Sequence, residues 1–158
     1  KAVRIEAARR MTEIPEPQLD GNQRKRYQSV LLEYQAAIEY SADFAFGRYN
    51  LGNLYANLGQ PQKAIEYYRA AFRIDNQFYP AKVNLAMLLN ELGRKDETEL
   101  LLREVVAVHP ELYEVQYSLG LLLAETGEYK EAANRLAHAV QTIHHLPGLG
   151  RRHYQAHA

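Results

Sequence analysis

The sequence predicts an all-α fold built from antiparallel helix pairs stacked in register. Three observations predict it. The stretch Tyr49-Asn50-Leu51-Gly52 returns as Val83-Asn84-Leu85-Ala86 and as Tyr117-Ser118-Leu119-Gly120, with a constant step of 34 residues from Leu51 to Leu85 to Leu119. A fixed period of this size marks a stacked repeat. A glycine follows each copy, Gly59, Gly93 and Gly127, where a helix ends in a left-handed turn. Small residues recur at Gly52, Ala86, Gly120, Ala64 and Ala132, with large ones around them at Leu51, Leu85, Leu119, Tyr68, Leu102 and Leu136. One helix pair cannot enclose such residues alone, so stacking closes the core.

Composition bounds the rest. The 158 residues are 47% hydrophobic and 24% charged, ordinary for a folded domain. Lysine plus arginine and aspartate plus glutamate number 19 each, so no general pull toward nucleic acid or an anionic membrane is expected. No apolar run approaches the ~20 residues that span a bilayer. The absence of cysteine excludes disulfides, thiolate zinc sites, covalent haem attachment and thiol catalysis within this chain. The start at Lys1 reads as the edge of a segment cut from a longer protein, and the compartment is left unassigned.

In chain order, Val3 to Met11 carry a helical pattern with Ile5, Ala8 and Met11 on one face, spelled like the end of a HEAT-like repeat. Pro15 and Pro17 then favour an extended link, and Asp20-Gly21-Asn22 offers a turn and a helix cap. Residues 1–22 are therefore read as an N-terminal helix and linker. Residues 23–42 are read as the second helix of a degenerate first repeat, with Tyr27, Val30, Leu31, Tyr34, Ala37 and Ile38 forming one apolar stripe. Its first helix is irregular, and Lys1–Met11 is expected to pack in its place. Residues 45–76, 79–110 and 113–144 are the full repeats. Each is expected to hold two helices, antiparallel because the turn between them is short. Residues 147–158 are read as a terminal capping helix or a cut repeat.

The residues that recur resemble the tetratricopeptide repeat (TPR) family. The second repeat carries Leu51, Gly52, Tyr55, Gly59, Ala64, Tyr68 and Ala71; the third Leu85, Ala86, Gly93 and Pro110; the fourth Leu119, Gly120, Gly127, Ala132 and Ala139. Arg48, Lys82 and Gln116 stand where the family has tryptophan, and Asn76 and His144 replace two closing prolines. The resemblance implies a right-handed α-α superhelix, a TPR solenoid of antiparallel helix pairs. Its concave groove would be lined by the first helix of each pair, and its role would be to scaffold peptides or partner proteins rather than to catalyse.

Phasing onto that pattern places Phe46, Tyr49, Asn50, Asn53, Asn84, Met87, Tyr117 and Ser118 toward the groove. Asn50, Asn84 and Ser118 are one period apart and would form a polar row able to pair with a peptide backbone. Equally, such asparagines bridge adjacent helices. Asn53 with Asn84 is similar to two members of the carboxylate clamp of chaperone-binding TPR domains. The cations of that clamp are missing here, with Tyr49, Glu114 and Ser118 in their stead, so recognition of a chaperone tail is rejected. His144, His145, His153 and His157 lack a carboxylate spaced to complete a metal site; no metal and no cofactor is expected. Glu97 and Glu99 read as a solvated face. No phosphate loop or nucleophile motif is present, and no enzyme is expected.

The reading that follows is a protein-interaction scaffold that takes a protein or peptide partner, with no nucleic acid and no membrane. Two alternatives stand beside it. One is a non-catalytic accessory domain of a larger bacterial enzyme or multihaem redox protein. The other is self-association, a homo-oligomer formed through the terminal repeats.

Overall fold

The computed structural model describes residues 7, 9–12 and 19–145, with side chains to residue 142. Seven helices follow one another through residues 21–145: α1 (Gly21–Glu39), α2 (Ala45–Asn57), α3 (Pro61–Ile74), α4 (Tyr79–Glu91), α5 (Lys95–Val108), α6 (Tyr113–Thr126) and α7 (Tyr129–His145). No strand occurs among the described residues, and the fold is an all-α helical repeat. The chain divides into two compact units, Lys1–Leu88 and Leu89–Ala158. The capping helix or cut repeat expected over 147–158 lies outside the described residues.

In the first unit, α1 begins at Gly21, two residues before the expected start of the repeat. Asp20 is the reason. Its carboxylate accepts from the backbone N–H of Asn22 at 2.9 Å and of Gln23 at 2.8 Å, and the Gln23 side chain accepts from Asp20 N–H in return. This capping box satisfies donors that a helix start leaves open. Tyr27, Tyr34 and Ile38 of the expected stripe are buried. The α1 face packs on α2, and α2 pairs with α3 through the turn Leu58–Gln60.

The α2–α3 pair is closed by a close approach. A methyl group on Gly52 would lie 2.5 Å from the ring of Tyr68 on α3, well inside van der Waals contact. Tyr68 is 3% exposed, and Leu51, Ala64 and Ala71 are buried beside it. On the other side of the pair Tyr55 and Tyr67 stack at 5.2 Å, nearly parallel, with Lys63 Nζ 4.9 Å above the Tyr55 ring. The Arg48 guanidinium lies 5.9 Å from the Tyr67 ring, and Lys82 Nζ lies 5.7 Å from that of Phe72. Two of the positions that lack the family tryptophan are thus filled by cations over rings, an attraction of about 0.5–1 kcal/mol each where partly exposed.

The second unit repeats the scheme. α5 packs on α6, and α6 pairs with α7. A methyl group on Gly120 would meet Leu136 Cγ at 2.8 Å. Gln116 takes the third tryptophan position and is 3% exposed. It donates to the Pro110 carbonyl at 3.2 Å and accepts from Arg135 at 3.3 Å, so its burial is compensated. Thr98, one period from Ala64 and Ala132, is buried too and donates its hydroxyl to the Arg94 carbonyl.

The turns share one geometry. Gly59, Gly93 and Gly127 have φ of 67°, 74° and 92°. After each, a backbone N–H reaches back five residues, from Gln60 to Tyr55, Arg94 to Leu89 and Glu128 to Leu123. Only glycine enters this left-handed region without a Cβ penalty.

Leu51, Leu85 and Leu119 are 1%, 1% and 0% exposed. Their equal depth is what the 34-residue phasing demands. Leu85→Ala is expected to lower unfolding free energy by about 2–5 kcal/mol in urea titration. A midpoint unchanged by that substitution would mean that the phasing is wrong.

Candidate functional site

The first unit holds a small polar cavity of about 240 Å³. It is lined by Asn50, Asn53 and Asn57 on α2, by Tyr34, Tyr68 and Asn84, and by Thr12 and Arg9 from the N-terminal segment. Spacing explains the α2 contribution, since residues three and four apart share a face. Asn84 joins them from α4 one period after Asn50.

Its amides are tied together. Tyr68 Oη donates to Asn53 Oδ1 at 2.7 Å, and Asn84 Nδ2 donates to the same oxygen at 2.8 Å. Asn84 Nδ2 also reaches Tyr49 Oη at 3.2 Å. Tyr49 is held in turn by aromatic neighbours, 6.1 Å from Tyr68 and edge-on to Phe78 at 5.5 Å between ring centres. Asn57 Nδ2 donates to the buried Thr12 hydroxyl at 2.9 Å, which donates to the Arg9 carbonyl at 2.6 Å. The described part of the N-terminal segment therefore docks beside α2.

The expected groove residues divide by environment. Asn50, Asn53 and Asn84 line the cavity. Tyr49 is half-buried and packs, its hydroxyl taken by Asn84. Phe46 and Met87 are 60% and 52% exposed. In the second unit Tyr117 is 51% exposed, while Ser118 spends its hydroxyl donor on the Glu114 carbonyl of its own helix at 2.8 Å. Asn53 and Asn84 thus bridge helices and line the cavity at once. Thr12, Tyr34 and Tyr68 were not among the expected site residues. Thr12 lies outside the repeats, where no period points to it, and Tyr68 reads from sequence as a packing residue.

The second unit carries a charged cluster that the sequence reading missed. The Arg103 guanidinium grips Glu131 with two bonds of 2.7 and 2.9 Å and donates to Glu99 at 2.7 Å. Arg135 adds bonds to Glu131 at 3.0 and 3.2 Å. Glu99 and Glu97 are therefore ion-paired, the latter with Arg94, rather than merely solvated. A depression of about 500 Å³ runs past Arg103, Pro110, Gln116, Arg135 and His138. Its arginines already face carboxylates, so it offers no spare charge to a ligand.

No group of three His, Cys, Asp or Glu side chains within reach of a metal occurs among the described residues. The side chains of His144, His145, His153 and His157 lie outside them. No helix among the described residues is long and apolar enough to cross a membrane.

Two family models match, both described as tetratricopeptide repeat, over residues 45–78 and 83–142. Together they span more than half of the chain. No curated protein sequence matches it. Among solved structures, a crystal structure of MamA superposes with a TM-score of 0.65 at 18% identity, covering 73% of this chain and 68% of that one. A further MamA structure gives 0.62 at 16% identity over 90% and 93%. YrrB, described as a TPR protein with an unusual peptide-binding site, gives 0.60 at 21% identity over 73% of this chain and 61% of its own. At such identities the likeness speaks for the fold.

The charged cluster yields a pH prediction. The hydrogen bond from Arg103 chiefly holds the Glu131 carboxyl down, from its ordinary 4.5 to about 2; burial opposes this and the bond from Arg135 adds to it. A carboxyl depressed on folding contributes stability that is fully present above about 4.5 and lost as pH falls toward 2. Urea midpoints measured from pH 7 to pH 2 are expected to fall through this window, and to fall less in Glu131→Gln. Parallel curves for the two proteins would contradict the assignment.

Proposed function

The chain belongs to the tetratricopeptide repeat family, and we propose from that premise that it is a non-catalytic scaffold capturing an extended peptide segment of a protein partner. The reading places capture on the first-helix faces of the repeats, with the amides of Asn50, Asn53 and Asn84 at its centre. One observation carries it. Asn50 lines the polar cavity yet makes no hydrogen bond among the described residues, while its neighbours are locked by theirs. Asparagine in a helix interior is otherwise a poor choice, because its side chain competes with the backbone for hydrogen bonds. An extended peptide offers the alternating C=O and N–H groups that an amide can meet on both its sides.

Two further features support it. Phe46 and Met87 are exposed apolar side chains on the same two helices, α2 and α4, and interfaces favour aromatic residues and methionine. The fold neighbour YrrB is described as having a peptide-binding site. The exposed Tyr117 is the second unit's own candidate anchor.

The asparagines differ in how cleanly they test the reading. Asn84→Ala removes two internal hydrogen bonds and is expected to cost about 0.5–1.5 kcal/mol for each. Asn50→Ala removes none. With peptides selected from a random library on the full chain, Asn50→Ala is expected to weaken binding about tenfold or more, about 1.4 kcal/mol, at an unchanged melting temperature. Binding that survives both Asn50→Ala and the Asn50→Ala/Asn84→Ala double variant would remove the groove model.

A further inference from the structure

The side-chain amides of the first unit's cavity can be followed one hydrogen bond at a time. Asn53 Oδ1 accepts twice, from Tyr68 and from Asn84, which fills an amide oxygen and leaves the Asn53 N–H pair unspent. Asn84 Nδ2 spends both of its N–H groups, on Asn53 and on Tyr49, and keeps its carbonyl oxygen. Turning both amides over together exchanges these roles through the same contacts, because each tyrosine hydroxyl both donates and accepts. Either way the coupled pair has left over one N–H pair and one carbonyl. Asn50, unbonded among the described residues, adds both functions again.

From this inventory, and resting on the peptide-capture reading above, we infer that the cavity is a subsite for a carboxamide side chain, a glutamine or asparagine of the captured segment. A carboxamide carries one C=O and one NH2, the complement of what the coupled pair leaves open. A carboxylate has only acceptors, so it would answer the N–H pair and set its charge against the remaining carbonyl. An ammonium group makes the opposite error. An apolar side chain would bury amides without partners, the most costly way to leave a polar site. Among the described residues, the side chains lining the cavity include a single charge, that of Arg9, which is exposed. The volume, about 240 Å³, suits one side chain rather than a larger ligand.

The test is an NMR titration of the full, 15N-labelled chain with three pentapeptides, capped as N-acetyl and C-terminal N-methylamide so that the caps carry no primary carboxamide, with serine and glycine flanks and a central glutamine, glutamate or leucine. The glutamine peptide is expected to bind at least tenfold tighter than the other two and to shift the side-chain amides of Asn50, Asn53 and Asn84. Asn50→Ala, which loses no internal hydrogen bond, is expected to weaken binding of the glutamine peptide while keeping its advantage, and the Asn53→Ala/Asn84→Ala double variant is expected to lose the advantage. Equal affinity for the three peptides, with shifts at Asn50, would overturn the subsite and leave backbone capture standing. A preference for glutamate would overturn it in favour of a carboxylate site at Arg9. A glutamine preference that persists in the Asn53→Ala/Asn84→Ala double variant would also overturn it. No binding by any of the three would sink both the subsite and the capture reading.

Discussion

The contact between Gly52 and Tyr68 is the constraint on which the first unit depends. Without a Cβ on Gly52, the Tyr68 ring closes against α2, where any side chain would displace it. That approach closes the α2–α3 pair and buries Leu51 and Ala64 beside it. It also delivers the Tyr68 hydroxyl to Asn53 at 2.7 Å. Packing and site are thus one event: the residue that lets the helices meet also sets the amide that anchors the cavity.

The other repeats show what happens when that coupling is absent. One and two periods on from Tyr68 stand Leu102 and Leu136, and one and two periods on from Asn53 stand Met87 and Leu121. Hydroxyl and amide occur together in one repeat and are replaced together by apolar side chains in the next two. Leu136 still fills the space over Gly120, so the close approach is kept while its polar consequence is lost. Met87 and Leu121 are exposed, at 52% and 43%. The second unit instead places its polar chemistry between α5 and α7, where Arg103 and Glu131 neutralise one another. Pairs this exposed contribute modestly to stability, about 0–1 kcal/mol each, though bidentate geometry and a shared network raise that.

How much of this was legible in the sequence follows from what repeats and what does not. Leu51, Leu85 and Leu119, and the glycines after each first helix, recur at a fixed step, and period reading found them because identical packing demands identical residue types. The Asp20 cap was legible for a different reason, a local motif with a known geometry. Asn53 and Asn84 were found as candidates, but not their mutual bond, since the period says which face a residue takes and not whom it touches. The Arg103–Glu131 grip spans 28 residues and fits no local pattern. Gly47 was passed over entirely; any side chain there would run into the Ser41 carbonyl, a clash that exists only once the α1–α2 corner is folded. Thr12 went unnoticed because it lies beyond the repeats.

The most direct measurement is the Gly52→Ala substitution, read on the side-chain amide resonances of Asn53 and Asn84 together with the thermal melt. If the helix approach sets the site, the added methyl group displaces Tyr68. The Asn53 and Asn84 amides then move together toward the positions of solvent-exposed asparagine, and the melting temperature falls. Unmoved amide resonances at an unchanged melting temperature would show that the cavity does not depend on the contact at Gly52.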